Sequence, residues 1–245
     1  MCIATFALGS SADHPLVFAA NRDELHTRPT EAADWWSDSA SILGGRDLLA
    51  GGSWLAVDRR GRLAAVTNIP SDVAHANART RGALVSDFLS GDRPASDFVA
   101  SVGARIGAYR PFNFLAFDGR ELHYVGTGSD AQRFELGVHA LSNAALGADW
   151  PKIHAAREGL ATNLETEDLE TALFELLASG ANGEAGPKDR LSRRKSIFIK
   201  DPRYGTRSST VVLVSSAGRV RFAERSFSAT GERNGESVHE FTIDA

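Results

Sequence analysis

The chain has 245 residues, 42% of them hydrophobic, and carries a net charge of −4 from 27 basic and 31 acidic side chains. That length can bury a full core as one domain, and the near-balanced charge gives none of the basic surplus that nucleic-acid binding draws on. A single cysteine can form neither an internal disulfide nor a CxxC zinc site, and no window nears the ~20 apolar residues of a membrane span.

The N-terminus lacks a basic leader, and its apolar stretch Ile3 to Leu8 is too short for a secretory core. A cytoplasmic location is therefore expected. Ile3 to Leu8 and Leu16 to Ala20 read as a hairpin around the turn Gly9 to Asp13. Trp54 to Asp58 and Leu63 to Thr67 form a second pair around Arg59-Arg60-Gly61. Helical spacing then governs Gly82 to Leu89 and Pro94 to Tyr109, with Pro94 at a normal helix start. Strands return at Asn113 to Phe117, Glu121 to Val125 and Val138 to Ser142, followed by helices Trp150 to Asn163 and Asp168 to Ser179.

Gly180 to Lys188, rich in Gly, Asn and Glu, is expected to be a mobile loop, and the basic run Arg190 to Lys195 a solvated one. Thr210 to Ser215 and Arg219 to Ala223 make a hairpin at Ala217-Gly218, and Val238 to Ile243 closes the chain as a strand. Groups of hairpins separated by helical pairs, with few βαβ crossovers, predict a single α+β domain of antiparallel sheets.

Cys2 is the only cysteine and directly follows the initiator methionine. A small second residue invites removal of Met1, which would leave a thiol beside a free α-amine of reference pKa about 7.7–8.0, a nucleophile with its own base. A positive neighbour such as Arg22 is expected to lower the thiol pKa. The plainer alternative is a small buried hydrophobe at a strand start.

The strand Phe18-Ala19-Ala20 runs into Asn21-Arg22-Asp23-Glu24, with Arg28-Pro29 just after. Further motifs are Met1-Cys2-Ile3, Gly51-Gly52-Ser53-Trp54-Leu55, Ala65-Val66-Thr67-Asn68, Arg81-Gly82 and Pro111-Phe112-Asn113. Later come Leu141-Ser142-Asn143, Trp150-Pro151-Lys152 and Tyr204 through Thr210. Together these resemble, over nearly the whole chain, the family named after its Asn-Arg-Asp-Glu motif, whose eukaryotic members are called transport and Golgi organisation protein 2.

That family in turn resembles the N-terminal-nucleophile hydrolases of the cysteine type, on a constellation rather than on continuous similarity. The resemblance implies an αββα sandwich of two antiparallel sheets flanked by helical pairs. It also implies a catalytic set of Cys2 as nucleophile, Arg22 and Asp23 tuning thiol and amine, Asn68 and Asn143 holding amine or oxyanion, and Arg207 completing the site. Asn21, Glu24 and Trp54 are expected on the substrate side. In those hydrolases the Arg and Asp are separated; here they are adjacent, which on a regular strand turns their side chains to opposite faces.

Each residue has a plainer role open to it. Asn21 and Asp23 can satisfy turn amides, Arg22 can pair with Asp23 or Glu24, Asn68 can serve the turn before Pro70, and Arg207 can anchor a loop. Gly44-Gly45 and Gly51-Gly52 lack the strand and helix context of a phosphate loop and read as turns. The seven histidines show no HxxxH spacing, so no metal is expected.

Two functions stay open at this point. One is an amidohydrolase acting on a small or amphipathic carbon–nitrogen amide, which requires no cofactor. The other, implied by the family's association with haem handling and with lipid or acyl-CoA metabolism, is a binding protein on the same fold with Cys2 or His26 as haem-ligand candidates. The oligomeric state is not readable from the sequence.

Overall fold

The structure is a computed structural model that describes residues 2–71, 78–180 and 192–244. The expected mobile loop, Gly180 to Lys188, falls outside them save for Gly180 itself. The first half of the chain forms β1 (Ile3–Leu8), β2 (Leu16–Leu25), β3 (Thr30–Trp36), β4 (Ser39–Asp47), β5 (Leu55–Asp58) and β6 (Leu63–Asn68). Helices α1 (Ala83–Leu89) and α2 (Ala95–Gly103) follow, then β7 (Phe112–Phe117), β8 (Leu122–Gly126), β9 (Ser129–Arg133) and β10 (Gly137–Ser142). The last part holds α3 (Pro151–Asn163), α4 (Leu169–Leu177), β11 (Tyr204–Val214), β12 (Arg219–Phe227) and β13 (Arg233–Thr242).

Two antiparallel sheets and four helices make the fold α+β, as the hairpin pattern predicts. One sheet has the order β10-β1-β2-β11-β12-β13, and the other runs β3 to β9 in sequence. The chain groups into two compact units built from interleaved segments. The first unit holds Met1–Arg28, Leu136–Ser142 and Ala148–Thr242; the second holds Pro29–Glu135, Asn143–Gly147 and Ile243–Ala245.

In the first unit, Ile3, Ala7, Val17, Ala19, Val211 and Leu213 pack against Ala156 and Leu160 of α3 and Leu173 and Leu177 of α4. The other face of the same strands is also buried, with Phe6 stacked on Phe18 at 5.7 Å between ring centroids. Burial on both faces explains why β1 is apolar at every position but Thr5 instead of alternating. In the second unit, α1 and α2 lay Leu84, Val85, Phe88, Phe98 and Val102 on Val66, Phe112, Phe114 and Val125.

Several boundaries differ from expectation for identifiable reasons. β2 runs five residues past Ala20, through the whole Asn-Arg-Asp-Glu motif, because β11 pairs with it from Tyr204 onward. β3 and β4 carry mixed burial patterns that hide their period, and β9 (Ser-Asp-Ala-Gln-Arg) is an exposed edge strand with no apolar stripe to read. α2 stops at Gly103, and a single 3₁₀ turn, Ile106–Ala108, takes the chain on to Tyr109. Gly51-Gly52 is a turn, and a demanding one. Gly52 has φ +69°, and a Cβ there would lie 2.4 Å from the Gly82 carbonyl oxygen.

Candidate active site

Register brings the chain start to the motif. Ile3 pairs with Asn21 on β2 and with Ser142 on β10, so Cys2 emerges beside Arg22 at the end of the sheet. The Ser142 hydroxyl donates to the Cys2 carbonyl at 2.5 Å and fixes that end. Cys2 is a free, partly exposed cysteine. The backbone N–H of Asp23 donates to its sulfur.

The four motif residues divide between the two sides of β2. Asn21 is 1% exposed and turns toward the α4 side, where its Nδ2 donates to the carbonyls of Leu177 at 2.8 Å and Ile197 at 3.0 Å. Its Oδ1 accepts from the Ser209 hydroxyl at 2.6 Å. Expected among the substrate-side residues, Asn21 is instead fully engaged as a brace within the first unit. Asp23, 4% exposed, accepts at Oδ1 from Thr206 at 2.8 Å, while its carbonyl accepts from the Tyr204 hydroxyl at 2.8 Å. Arg22, 6% exposed, stands opposite Ser208, on the far side of a bulge at Arg207. Glu24 is half-buried and caps the Leu25 amide at 2.9 Å.

The adjacency of Arg22 and Asp23 resolves in favour of Asp23, whose backbone and charge both reach the sulfur. Arg22 lowers the thiol pKa as expected, but burial outweighs it: desolvation pushes the thiol up and the charge of Asp23 adds to the rise, against the N-terminal amine, the Asp23 N–H and Arg22. Burial likewise raises the Asp23 carboxyl, against the pull of the N-terminal amine first and then of Lys152, Thr206 and Arg193.

Lys152 received no role from the sequence, yet it is 0% exposed, and its ammonium has no hydrogen-bond partner among the described residues. Burial lowers its pKa, and the charges of Asp23 and Cys2 raise it. The signal was present in the sequence. Lys152 occupies the i position of a stripe whose i+4 and i+8 members are the buried Ala156 and Leu160.

Arg207, expected by resemblance to complete the site, donates from Nη1 to the carbonyls of Leu25, His26 and Arg28 at 2.9, 3.1 and 3.1 Å and ties down the turn after β2. Gly205 is required beside it, since a Cβ there would lie 2.7 Å from the Ile199 carbonyl oxygen. The second unit holds Asn68, Asn143 and Trp54. There Asn143, buried at 3% exposure, donates from Nδ2 to the Asn68 carbonyl. Half-buried Trp54 lays its ring over Gly45, where a Cβ would lie 2.3 Å away.

Of the two haem-ligand candidates, His26 has Nε2 2.9 Å from the Asp201 carbonyl, so this nitrogen donates and leaves Nδ1 to carry a ligating lone pair. At Cys2, burial favours the protonated thiol over the thiolate.

Comparison with solved structures finds the same fold in a Caenorhabditis elegans N-acylethanolamine-hydrolyzing acid amidase ortholog. The superposition gives a TM-score of 0.53 at 14% identity, covering 86% of this chain and 92% of that one. The fold is therefore that of the N-terminal-nucleophile hydrolases. The family model described as Transport and Golgi organisation 2 matches residues 1–229, and the chain belongs to that family. The bovine transport and Golgi organization protein 2 homolog is 34% identical, and the human one 31%, each over 99% of both chains. No helix of the described residues is long and apolar enough to cross a membrane.

Proposed function

We propose that this chain is an N-terminal cysteine amidohydrolase acting on a small or amphipathic non-peptide amide. One observation carries the reading: Cys2 lies immediately before β1 with the Asp23 backbone N–H on its sulfur and Arg22 beside it. Its fold is shared with an enzyme that hydrolyses N-acylethanolamines.

The chemistry is acyl transfer through the sulfur. Burial holds the thiol protonated, so a base beside it must take the proton; in the N-terminal-nucleophile scheme this is the α-amine exposed when Met1 is removed. A C–S bond forms as the carbonyl π pair moves onto oxygen. Collapse of that oxyanion breaks the C–N bond, and a proton passes to the departing amine. Water then attacks the thioester, the C–S bond breaks, and the thiol is restored.

The test combines the intact mass of the purified protein with a panel of N-acyl amides, N-acylethanolamines and penicillin V among them. Loss of Met1 and turnover of at least one amide are expected, with Cys2→Ala abolishing turnover and Cys2→Ser retaining only a small fraction, because loss of a covalent nucleophile typically costs orders of magnitude. Cys2-independent turnover would refute the nucleophile assignment, and retention of Met1 by a fully active protein would refute the α-amine as base.

A further inference from the structure

A buried hydroxyl with nothing to bond is destabilising. Taking a polar group out of water without giving it a hydrogen bond costs free energy, so each such group in a folded protein calls for an explanation. Ser208 is 4% exposed, and its Oγ makes no hydrogen bond among the described residues. The neighbouring hydroxyls of β11 are all engaged. Ser209 bonds Asn21 at 2.6 Å, Thr206 bonds Asp23 at 2.8 Å, and Thr210 bonds Glu224 at 2.9 Å. In that run Ser208 is the one left unmatched.

Strand alternation fixes where this hydroxyl points. Ile3 and Ala19 pack on the side of α3 and α4, and Asn21 bonds the Leu177 carbonyl on that same side. Ser209 meets Asn21 there, so Ser208 projects from the opposite face of the sheet. Arg22 is its register partner, and Cys2, one residue before Ile3 in the pairing of β1 with β2, continues the row. Thiol, guanidinium and unmatched hydroxyl thus lie on three adjacent strands and one face. Ala20, next to Arg22 on this face, is only half-buried although β1 and β11 flank it. The row is therefore not packed shut at the centre of the sheet.

We propose that Ser208 is a substrate-contacting specificity residue of the Cys2 site, whose hydroxyl bonds an uncharged polar group on the amine half of an amphipathic amide. Cys2 and Ser208 stand two strand spacings apart, about 9.5 Å. A C–S bond and a hydrogen bond of ~2.8 Å take up about half of that, which leaves room for about four bonds of extended chain between the scissile carbon and the polar atom. In an amide with an apolar acyl chain, such a group sits on the amine. Arg22 on one side and Glu224, beside Thr210, on the other bring a base and an acid to the flanks, so a neutral hydroxyl suits the place better than an ion. It can both donate to Ser208 and accept from it. A site built to bond a substrate hydroxyl rejects the analogue that lacks it, because its own polar group then stays unmatched. This assignment deepens the amidohydrolase reading and rests on it for the reaction; binding at Ser208 needs no turnover.

The experiment compares N-octanoylethanolamine with N-octanoylpropylamine, which differ by a hydroxyl for a methyl group. Binding is measured by calorimetry on the intact chain carrying Cys2→Ala, which removes the nucleophile, with and without Ser208→Ala. The Cys2→Ala protein should bind the hydroxyl compound about tenfold more tightly than the propyl one, and adding Ser208→Ala should erase that preference. Urea unfolding of Ser208→Ala alone should give a midpoint at or above that of the wild type, since the hydroxyl removed has no internal bond to lose. An unchanged preference in the double variant would overturn the proposal. So would equal binding, or none, of the two compounds to Cys2→Ala, and so would a lowered urea midpoint in Ser208→Ala, which would reveal an internal partner. If the preference holds but protein with Cys2 intact hydrolyses no amide, the amidohydrolase reading fails and the Ser208 assignment stands.

Discussion

Replacing Asn21 by alanine separates a structural from a substrate-binding role for the first letter of the motif. The side chain serves three groups: the Leu177 carbonyl at the end of α4, the Ile197 carbonyl and the Ser209 hydroxyl. All belong to residues that are nearly or fully buried, so water does not readily replace the lost bonds. A buried polar group left without its partner costs about 1–3 kcal/mol. The Ser209 hydroxyl can rotate toward another acceptor, so two carbonyls carry most of the loss, and the total comes to about 3–5 kcal/mol. Against a typical domain stability of about 5–15 kcal/mol this is large.

With an m-value of about 2 kcal/mol/M, the urea midpoint should fall by roughly 1.5–2.5 M. Asn21→Asp should be worse near neutral pH, because it sets a carboxylate against two carbonyls. Burial would raise that carboxyl's pKa, so its penalty is present above the folded-state pKa and is relieved as pH falls through it. A midpoint unchanged in Asn21→Ala, together with a raised KM, would refute the brace and restore Asn21 to the substrate side.

Three further outcomes follow from the geometry. Gly52→Ala forces a left-handed conformation and a Cβ 2.4 Å from the Gly82 carbonyl oxygen, so it should lose more than the roughly 1–2 kcal/mol of the backbone conformation alone, read as a drop in Tm. Arg207→Ala frees three carbonyls that are partly open to water; it should cost about 1–2 kcal/mol by urea unfolding and increase proteolysis in the turn after β2. In wild-type protein, the alkylation midpoint of Cys2 should lie above the ~8.5 of an unperturbed thiol, because burial outweighs the nearby positive charge; a midpoint below that value would show Arg22 winning. The raised thiol pKa also means that its share of stability is full below the unfolded pKa and is lost as pH rises through the folded one.

Much of the framework was legible because it rests on local periodicity. β1 and the pair β5 and β6 follow apolar runs between turn residues, and α1 to α4 follow apolar spacing of three and four. What stayed hidden depends on pairing at a distance. The extension of β2 to Leu25 exists because Tyr204 to Ser209 supply its hydrogen-bonding edge some 180 residues later, and no local pattern announces that. Nor does the sequence tell which carbonyls an arginine will reach. Arg207, which resemblance puts at the catalytic centre, has Nη1 on the three carbonyls of the turn Leu25 to Arg28.

The motif itself is best understood as the end of a strand whose successive residues have different environments. Asn21 faces α4 and holds the strand end in place; Arg22 turns the other way; Asp23 returns to the side of Thr206 and Lys152; Glu24 reaches the partly exposed edge. Four polar residues in a row thus do not form one cluster, and reading them as a unit overstates Arg22 and understates Asp23. A further charge acting on Asp23 lies about 130 residues away, on the buried Lys152 in the first turn of α3. Burial acts on this corner as a whole. It makes each of thiol, carboxyl and amine more costly to charge alone, which favours proton exchange among neighbours over any fixed pattern of charges.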